Sequence, residues 1–148
     1  MVKPAARLAS ALHEELVSWA RAGVPNEACG IIAGDRPAAE GGRATAFYGL
    51  TNQAASPYRY LIGPDEQLRT MSAIDAADEV LWGIFHSHVR SPAVPSPTDI
   101  GIAAWPDGSP TFPGTLYLIC SLADPEAPHI RAWTIRDGDA AEVPLTIE

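Results

Sequence analysis

The sequence predicts a mixed α/β fold built as a single domain over residues 1–148. Three observations lead there. Stretches with helical spacing of apolar residues are interspersed with short apolar runs, not segregated into helical and strand halves. The length of 148 residues matches the usual prior of about 150 residues for one domain. No internal repeat, linker or charge run divides the chain.

The elements follow in order. Ala5 to Ala22 reads as a helix, because Leu8, Leu12, Leu16 and Trp19 recur at spacings of four and three. Gly23 and Pro25 end it. Cys29–Gly34 is an apolar run bounded by glycines, hence a buried strand. A turn over 35–42 leads to a strand over 43–50, a polar loop over 51–57 and a short strand over 58–62. Pro64, Asp65 and Glu66 open a second helix, with proline in its first turn and acids at its positive end. Leu68, Met71 and Ile74 lie near one face of it. Val80 to His86 carries the strongest strand signal. A proline-rich loop then reaches Ser96-Pro97-Thr98-Asp99, a helix start with serine as N-cap, and the helix should run to about Trp105. Segments 115–121, 129–135 and 141–147 read as closing strands.

Composition narrows the function. Ten Lys and Arg against eighteen Asp and Glu leave a formal charge of −8, and the basic residues are scattered singly. Binding to nucleic-acid phosphates or to an anionic membrane needs a positive patch, so neither is expected as a partner. Two cysteines, Cys29 and Cys120, cannot build a disulfide framework or a CxxC zinc site, and both sit in apolar strands as structural thiols. No signal-peptide pattern precedes the first helix and no apolar run approaches about 20 residues. A cytoplasmic protein with reduced thiols is expected; monomer and homodimer both remain open.

Chemistry concentrates between His86 and Asp99. His86 and His88 stand at i and i+2 at the end of a strand, so both imidazoles point to the same side. Two neutral imidazoles suit zinc, although an HxH pair alone is a weak signal. A catalytic zinc takes a third protein ligand and keeps one position open. Asp99 is the natural candidate, in the first turn of the helix that follows the loop. Water at such a site needs a base, and Glu27 is an isolated carboxylate just before a buried strand. Ser96 could donate its hydroxyl to an oxyanion or spend its oxygen as a helix cap. Ser87, between the histidines, should face the opposite way.

Glu27, then His86-x-His88, seven residues, Ser96, two residues and Asp99 resembles the JAMM motif of MPN-domain metallopeptidases at every signature position. Glu27-Ala28-Cys29-Gly30 and Pro92-Ala93-Val94-Pro95-Ser96 resemble the flanks found in small prokaryotic members, as do Asn52, Ser56 and Tyr60 before Pro64. The likeness covers roughly residues 8 to 122. It implies a cytidine-deaminase-like mixed sheet flanked by helices. It implies one zinc ion per chain on His86, His88 and Asp99, with Glu27 as general acid/base and Ser96 stabilising the tetrahedral intermediate. The implied reaction is hydrolysis of an amide or isopeptide bond after the C-terminal Gly-Gly of a ubiquitin-like or sulfur-carrier protein, releasing an adduct such as cysteine in the stand-alone prokaryotic members. Val89 stands where many members have proline, and the chain is short for the insertions that grip ubiquitin, which favours a minimal bacterial-type peptidase.

Three other readings compete. A zinc nucleobase deaminase needs H-x-E and a P-C-x-x-C segment, and this chain has neither. A non-haem iron enzyme could use the His/His/Asp triad, but leaves Glu27 and Ser96 without a task. A non-catalytic MPN-type interaction module typically lacks the ligands that are all present here.

Overall fold

The computed structural model describes residues 6–148. Its centre is a six-stranded mixed sheet in the order β3-β2-β4-β5-β6-β7. The strands are β2 (Cys29–Gly34), β3 (Ala44–Leu50), β4 (Val80–His88), β5 (Leu116–Ser121), β6 (His129–Arg136) and β7 (Asp139–Val143). Every neighbouring pair is antiparallel except β4 and β5, which run parallel. A second, two-stranded sheet pairs β1 (Ala6–Leu8) in parallel with β8 (Leu145–Ile147). Helices α1 (Ser10–Gly23), α2 (Pro64–Ala76) and α3 (Pro97–Ile102) complete the order.

The sheet is apolar on both faces, so two cores form. Leu12, Leu16 and Ala20 of α1 pack with Ile32, Phe85 and Leu118 on one face. Ile74 of α2 packs with Ile31, Ile84 and Ile119 on the other. Neighbouring residues of β2 and β5 thus alternate between the cores, which is why both strands are buried throughout and read as unbroken apolar runs. His86 and His88 share the α2 face with Ile84 by the period-two rule.

Several sequence expectations shift. Ala5 lies outside the described residues, and Ala6–Leu8 is strand, not helix. Leu8 matches the helical spacing by coincidence: it is fully buried opposite Ile147, and only tertiary pairing reveals that partner. Trp19 and Leu68, placed on apolar faces by spacing, are 37% and 68% exposed. Residues 58–62 form no strand beyond a single bridge between Asn52 and Ile62. Residues 141–147 divide into β7 and β8 at Pro144, whose missing N–H interrupts a ladder. Helix α3 stops at Ile102, and Ala104 instead bridges Pro110.

Leu8→Ala should therefore cost about 2–5 kcal/mol, as a fully buried leucine does. Leu68→Ala should change stability by no more than about 0.5 kcal/mol. Chemical denaturation of the two variants checks the pair; equal losses would contradict the β1–β8 pairing described above.

Candidate metal centre

Strand β4 ends on His86 and His88, and the crossover to the parallel strand β5 begins immediately after them. A parallel pair cannot be closed by a tight turn, so the chain must leave the sheet and return. Here the returning segment carries α3. Ser96 is its N-cap: Ser96 Oγ accepts from the Asp99 amide at 3.1 Å, and Asp99 Oδ2 accepts from the Ser96 amide at 2.9 Å. This capping box turns the Asp99 carboxylate back toward the strand end.

The three side chains meet there. Asp99 Oδ2 lies 3.1 Å from His86 Nε2 and 3.1 Å from His88 Nε2, and the two nitrogens are 3.2 Å apart. All three residues are buried. His88 Nδ1 lies 2.7 Å from the Pro92 carbonyl oxygen. A carbonyl can only accept, so Nδ1 carries a hydrogen, and Nε2 is the nitrogen directed into the triangle. The His86 ring stacks on Tyr60 at 4.4 Å between centroids. Two imidazole nitrogens and a carboxylate oxygen converging in this way could hold a metal ion.

Glu27 joins through strand pairing. Cys29 faces His86 in the antiparallel β2–β4 register. The pairing continues past β2, because the Ser87 amide donates to Ala28 O at 3.0 Å and Ser87 Oγ accepts from the Ala28 amide at 2.8 Å. One further step sets Glu27 beside His88. Asn52 holds the same segment from the other side. Its Nδ2 donates to the carbonyls of Glu27 (2.9 Å) and Arg59 (3.0 Å), while its Oδ1 accepts from the amides of Ala54 and Leu61.

The two buried carboxyls are driven in opposite directions. Burial pushes Glu27 up to about 8, against the pull of His88 and with the push of Asp99. Burial also works to raise Asp99, but the hydrogen-bonding histidines and the Ser96 amide outweigh it and hold the carboxyl well below the usual range. Burial lowers His86, while Asp99 and the Pro92 carbonyl raise His88 in spite of burial. Among the described residues, the buried side-chain atoms without a hydrogen-bond partner are Glu27 Oε1 and His86 Nδ1, both at this centre. A groove of about 270 Å³ adjoins it, lined by Glu27, His88 and Ser96 together with Pro25, Pro57 and Tyr58.

A sequence profile described as prokaryotic homologs of the JAB domain matches residues 9–136. The chain belongs to this family. Within it, the JAB-domain chain is 36% identical over 140 residues to the CysO-cysteine peptidase of Mycobacterium tuberculosis, covering 92% of this chain and 86% of that one. It is 38% identical over 119 residues to the desampylase of Haloferax volcanii, covering 77% and 78%. A solution structure of a protein from Desulfitobacterium hafniense superposes with a TM-score of 0.82 at 32% identity, covering 96% and 92%. A crystal structure of a JAB1/MPN domain protein from Archaeoglobus fulgidus superposes at 0.57 and 14% identity, covering 96% and 98%, and shows the shared fold. The names of the two sequence relatives support a hydrolase. No helix among the described residues of the JAB-domain chain is long and apolar enough to cross a membrane.

The structure brings His86, His88 and Asp99 together as the triangle, and Glu27 and Ser96 line the adjoining groove. Cys29 and Cys120 are free and fully buried, with burial pushing their thiols up to about 12 and about 11, so neither supplies a thiolate at neutral pH. In the sequence, Asn52 stands out only as part of the family resemblance; its clamp on the Glu27 segment has no local signal beyond an Asn in a polar loop two residues past a strand.

The Glu27 shift makes a stability prediction for protein stripped of metal. A carboxyl whose folded value of about 8 exceeds its ordinary 4.5 contributes stability that is complete below that ordinary value and is lost as pH rises toward 8. Glu27→Gln removes the titration. Denaturant titrations should show its advantage over the parent growing by roughly 1 kcal/mol or more between pH 5 and pH 8; an advantage that shrinks over this range would refute the shift.

Proposed function

We propose that this single-domain chain is a zinc-dependent peptidase, with one zinc ion held by His86, His88 and Asp99. In this reading it hydrolyses the amide or isopeptide bond after the C-terminal Gly-Gly of a ubiquitin-like or sulfur-carrier protein in the cytoplasm. The observation that carries the reading is the triangle of ligand atoms with edges of 3.1 to 3.2 Å. Tetrahedral ligands about 2.0–2.1 Å from zinc lie about 3.3–3.4 Å apart, so the triangle fits one face of such a site. Open space lies on the Glu27 side, as a catalytic site requires. The relatives add substrate class: one is named a CysO-cysteine peptidase, another a desampylase, and a third, from Thermus thermophilus, a probable TtuB-protein conjugate cleaving protease.

A bound zinc ion supplies Lewis acidity, acidifying water and polarising a carbonyl. The chain's own groups do the rest. Glu27, whose proton affinity is raised by burial, takes a proton from the attacking water and delivers it to the amine nitrogen as the C–N bond breaks. One oxygen of Glu27 has no competing partner, which leaves it available for this transfer. Ser96 Oγ accepts the Asp99 amide as a cap, yet its hydroxyl hydrogen remains free to donate to the oxyanion. The cap and the catalytic donor are thus compatible uses of one hydroxyl. A Gly-Gly tail brings no side chains to clash with Pro25 and Pro57 in the groove's lining.

The test is cleavage of a small ubiquitin-like protein extended beyond its Gly-Gly by zinc-loaded enzyme. Chelator should abolish cleavage and zinc should restore it. Glu27→Gln should lower kcat by about 10²–10⁴ while binding metal normally, and Ser96→Ala by about 10²–10³. His88→Ala should lose stoichiometric zinc in metal analysis. Full activity in Glu27→Gln would overturn the mechanism even if zinc is bound.

A further inference from the structure

The groove above the triangle contains one cation among the described residues, Arg90. Arg90 is exposed and takes part in no ion pair or side-chain hydrogen bond in the described part of the molecule, whereas Arg43 and Arg131 are paired with Glu148 and Glu142. Glu27, His88 and Ser96 are among the other lining residues, and no second arginine or lysine shares the groove. Among the side chains lining the groove, Arg90 is the permanently charged cation available to an anionic group of a substrate.

The backbone that carries Arg90 is tethered on both sides. The Leu122 amide donates to His88 O at 2.9 Å, and Ser121 Oγ donates to Ser91 O at 2.8 Å. His88 Nδ1 closes the turn on Pro92 O. Arg90 therefore rises from a segment fixed to the end of β5 and only two residues from His88. Two residues span at most about 7 Å, so an arginine side chain covers the distance to a bond held above His88.

We propose that Arg90 is a specificity subsite for the α-carboxylate of the departing amine, so that the preferred substrate is a carrier tail joined to a free amino acid, not to a protein lysine. The proposal rests on the peptidase reading above and refines its leaving group. The chemistry separates the two classes. In an amino-acid adduct the carboxylate carbon is two bonds from the scissile nitrogen, and the guanidinium fork matches a carboxylate bidentately. In a lysine isopeptide the same neighbourhood holds an uncharged methylene chain, which gives Arg90 nothing to bind. Hydrolysis balances in either case: water adds across the C–N bond, leaving a glycine carboxylate and a free ammonium. The groove size agrees, since about 270 Å³ falls just below the range of drug-sized clefts and suits a few residues.

The experiment compares three substrates of zinc-loaded, full-length protein: a ubiquitin-like carrier ending in Gly-Gly-Ala, the same carrier ending in Gly-Gly-alaninamide, and a carrier joined through Gly-Gly to the ε-amine of acetyl-lysine amide. The parent should favour the free carboxylate over the amide in kcat/KM by about ten- to a hundredfold, the scale of one charge-assisted contact. Arg90→Gln should erase that preference by slowing only the carboxylate substrate, and Arg90→Lys should keep part of it. Thermal melting and zinc content of Arg90→Gln should match the parent, because the side chain is exposed. Equal rates on acid and amide by the parent, or an equal loss on both in Arg90→Gln, overturn the subsite and leave the peptidase reading standing. Cleavage of none of the three overturns both.

Discussion

The parallel pairing of β4 with β5 is the constraint on which the centre depends. Every other neighbour in the main sheet is antiparallel. Antiparallel strands can be joined by turns of a few residues, but this pair requires the chain to leave the sheet at His88 and re-enter at Leu116. The crossover must begin at the C-terminal end of β4, where the two imidazoles emerge, and its first helix then faces them. Clefts beyond the carboxyl ends of parallel strands are the general place for ligands in such sheets. The capping box converts this topological necessity into a specific geometry. One hydrogen bond caps α3, and its reciprocal partner aims Asp99 Oδ2 at both rings.

The same arrangement divides the labour of two carboxyls. Asp99 sits among donors and remains ionised at any working pH. Glu27 is buried with one oxygen unpartnered, and its affinity for a proton rises into the neutral range. Pairs of titratable groups driven apart by their environments mark acid and base assignments. Both residues are almost equally buried, so the separation comes from the hydrogen bonds and neighbouring charges that Asp99 has and Glu27 lacks. Ser87 and Asn52 keep Glu27 in register from opposite sides, so its carboxyl rests on backbone pairing and one amide clamp.

Much of the fold was legible because its signals are local. The unbroken apolar run at 29–34, the proline and acids at 64–66 and the serine cap at 96 each act within a few residues, and β2, α2 and α3 begin where they indicate. The errors share a cause. Leu8 fits a helical spacing but pairs with β8 at the far end of the chain. Tyr58 to Ile62 looks like a strand, but the Asn52 side chain takes the hydrogen bonds that a neighbouring strand would have made. Leu68 fits an apolar face that α2 leaves in solvent. In each case the outcome was set by contacts, or their absence, that the local pattern does not encode.

The sequence by itself determined which groups converge: two imidazoles brought to one side by the period of a strand, and a carboxylate aimed by a four-residue helix cap. Those are short-range geometries, readable from spacing. Only the tertiary structure decided that Glu27 stands beside His88, fifty-nine residues of separation between Ala28 and Ser87 being bridged by strand register. It alone decided that a lone arginine at position 90 shares the groove. Register and groove lining depend on which segments pair across the chain, and that is settled by burying both faces of the sheet at once, a condition no local pattern contains.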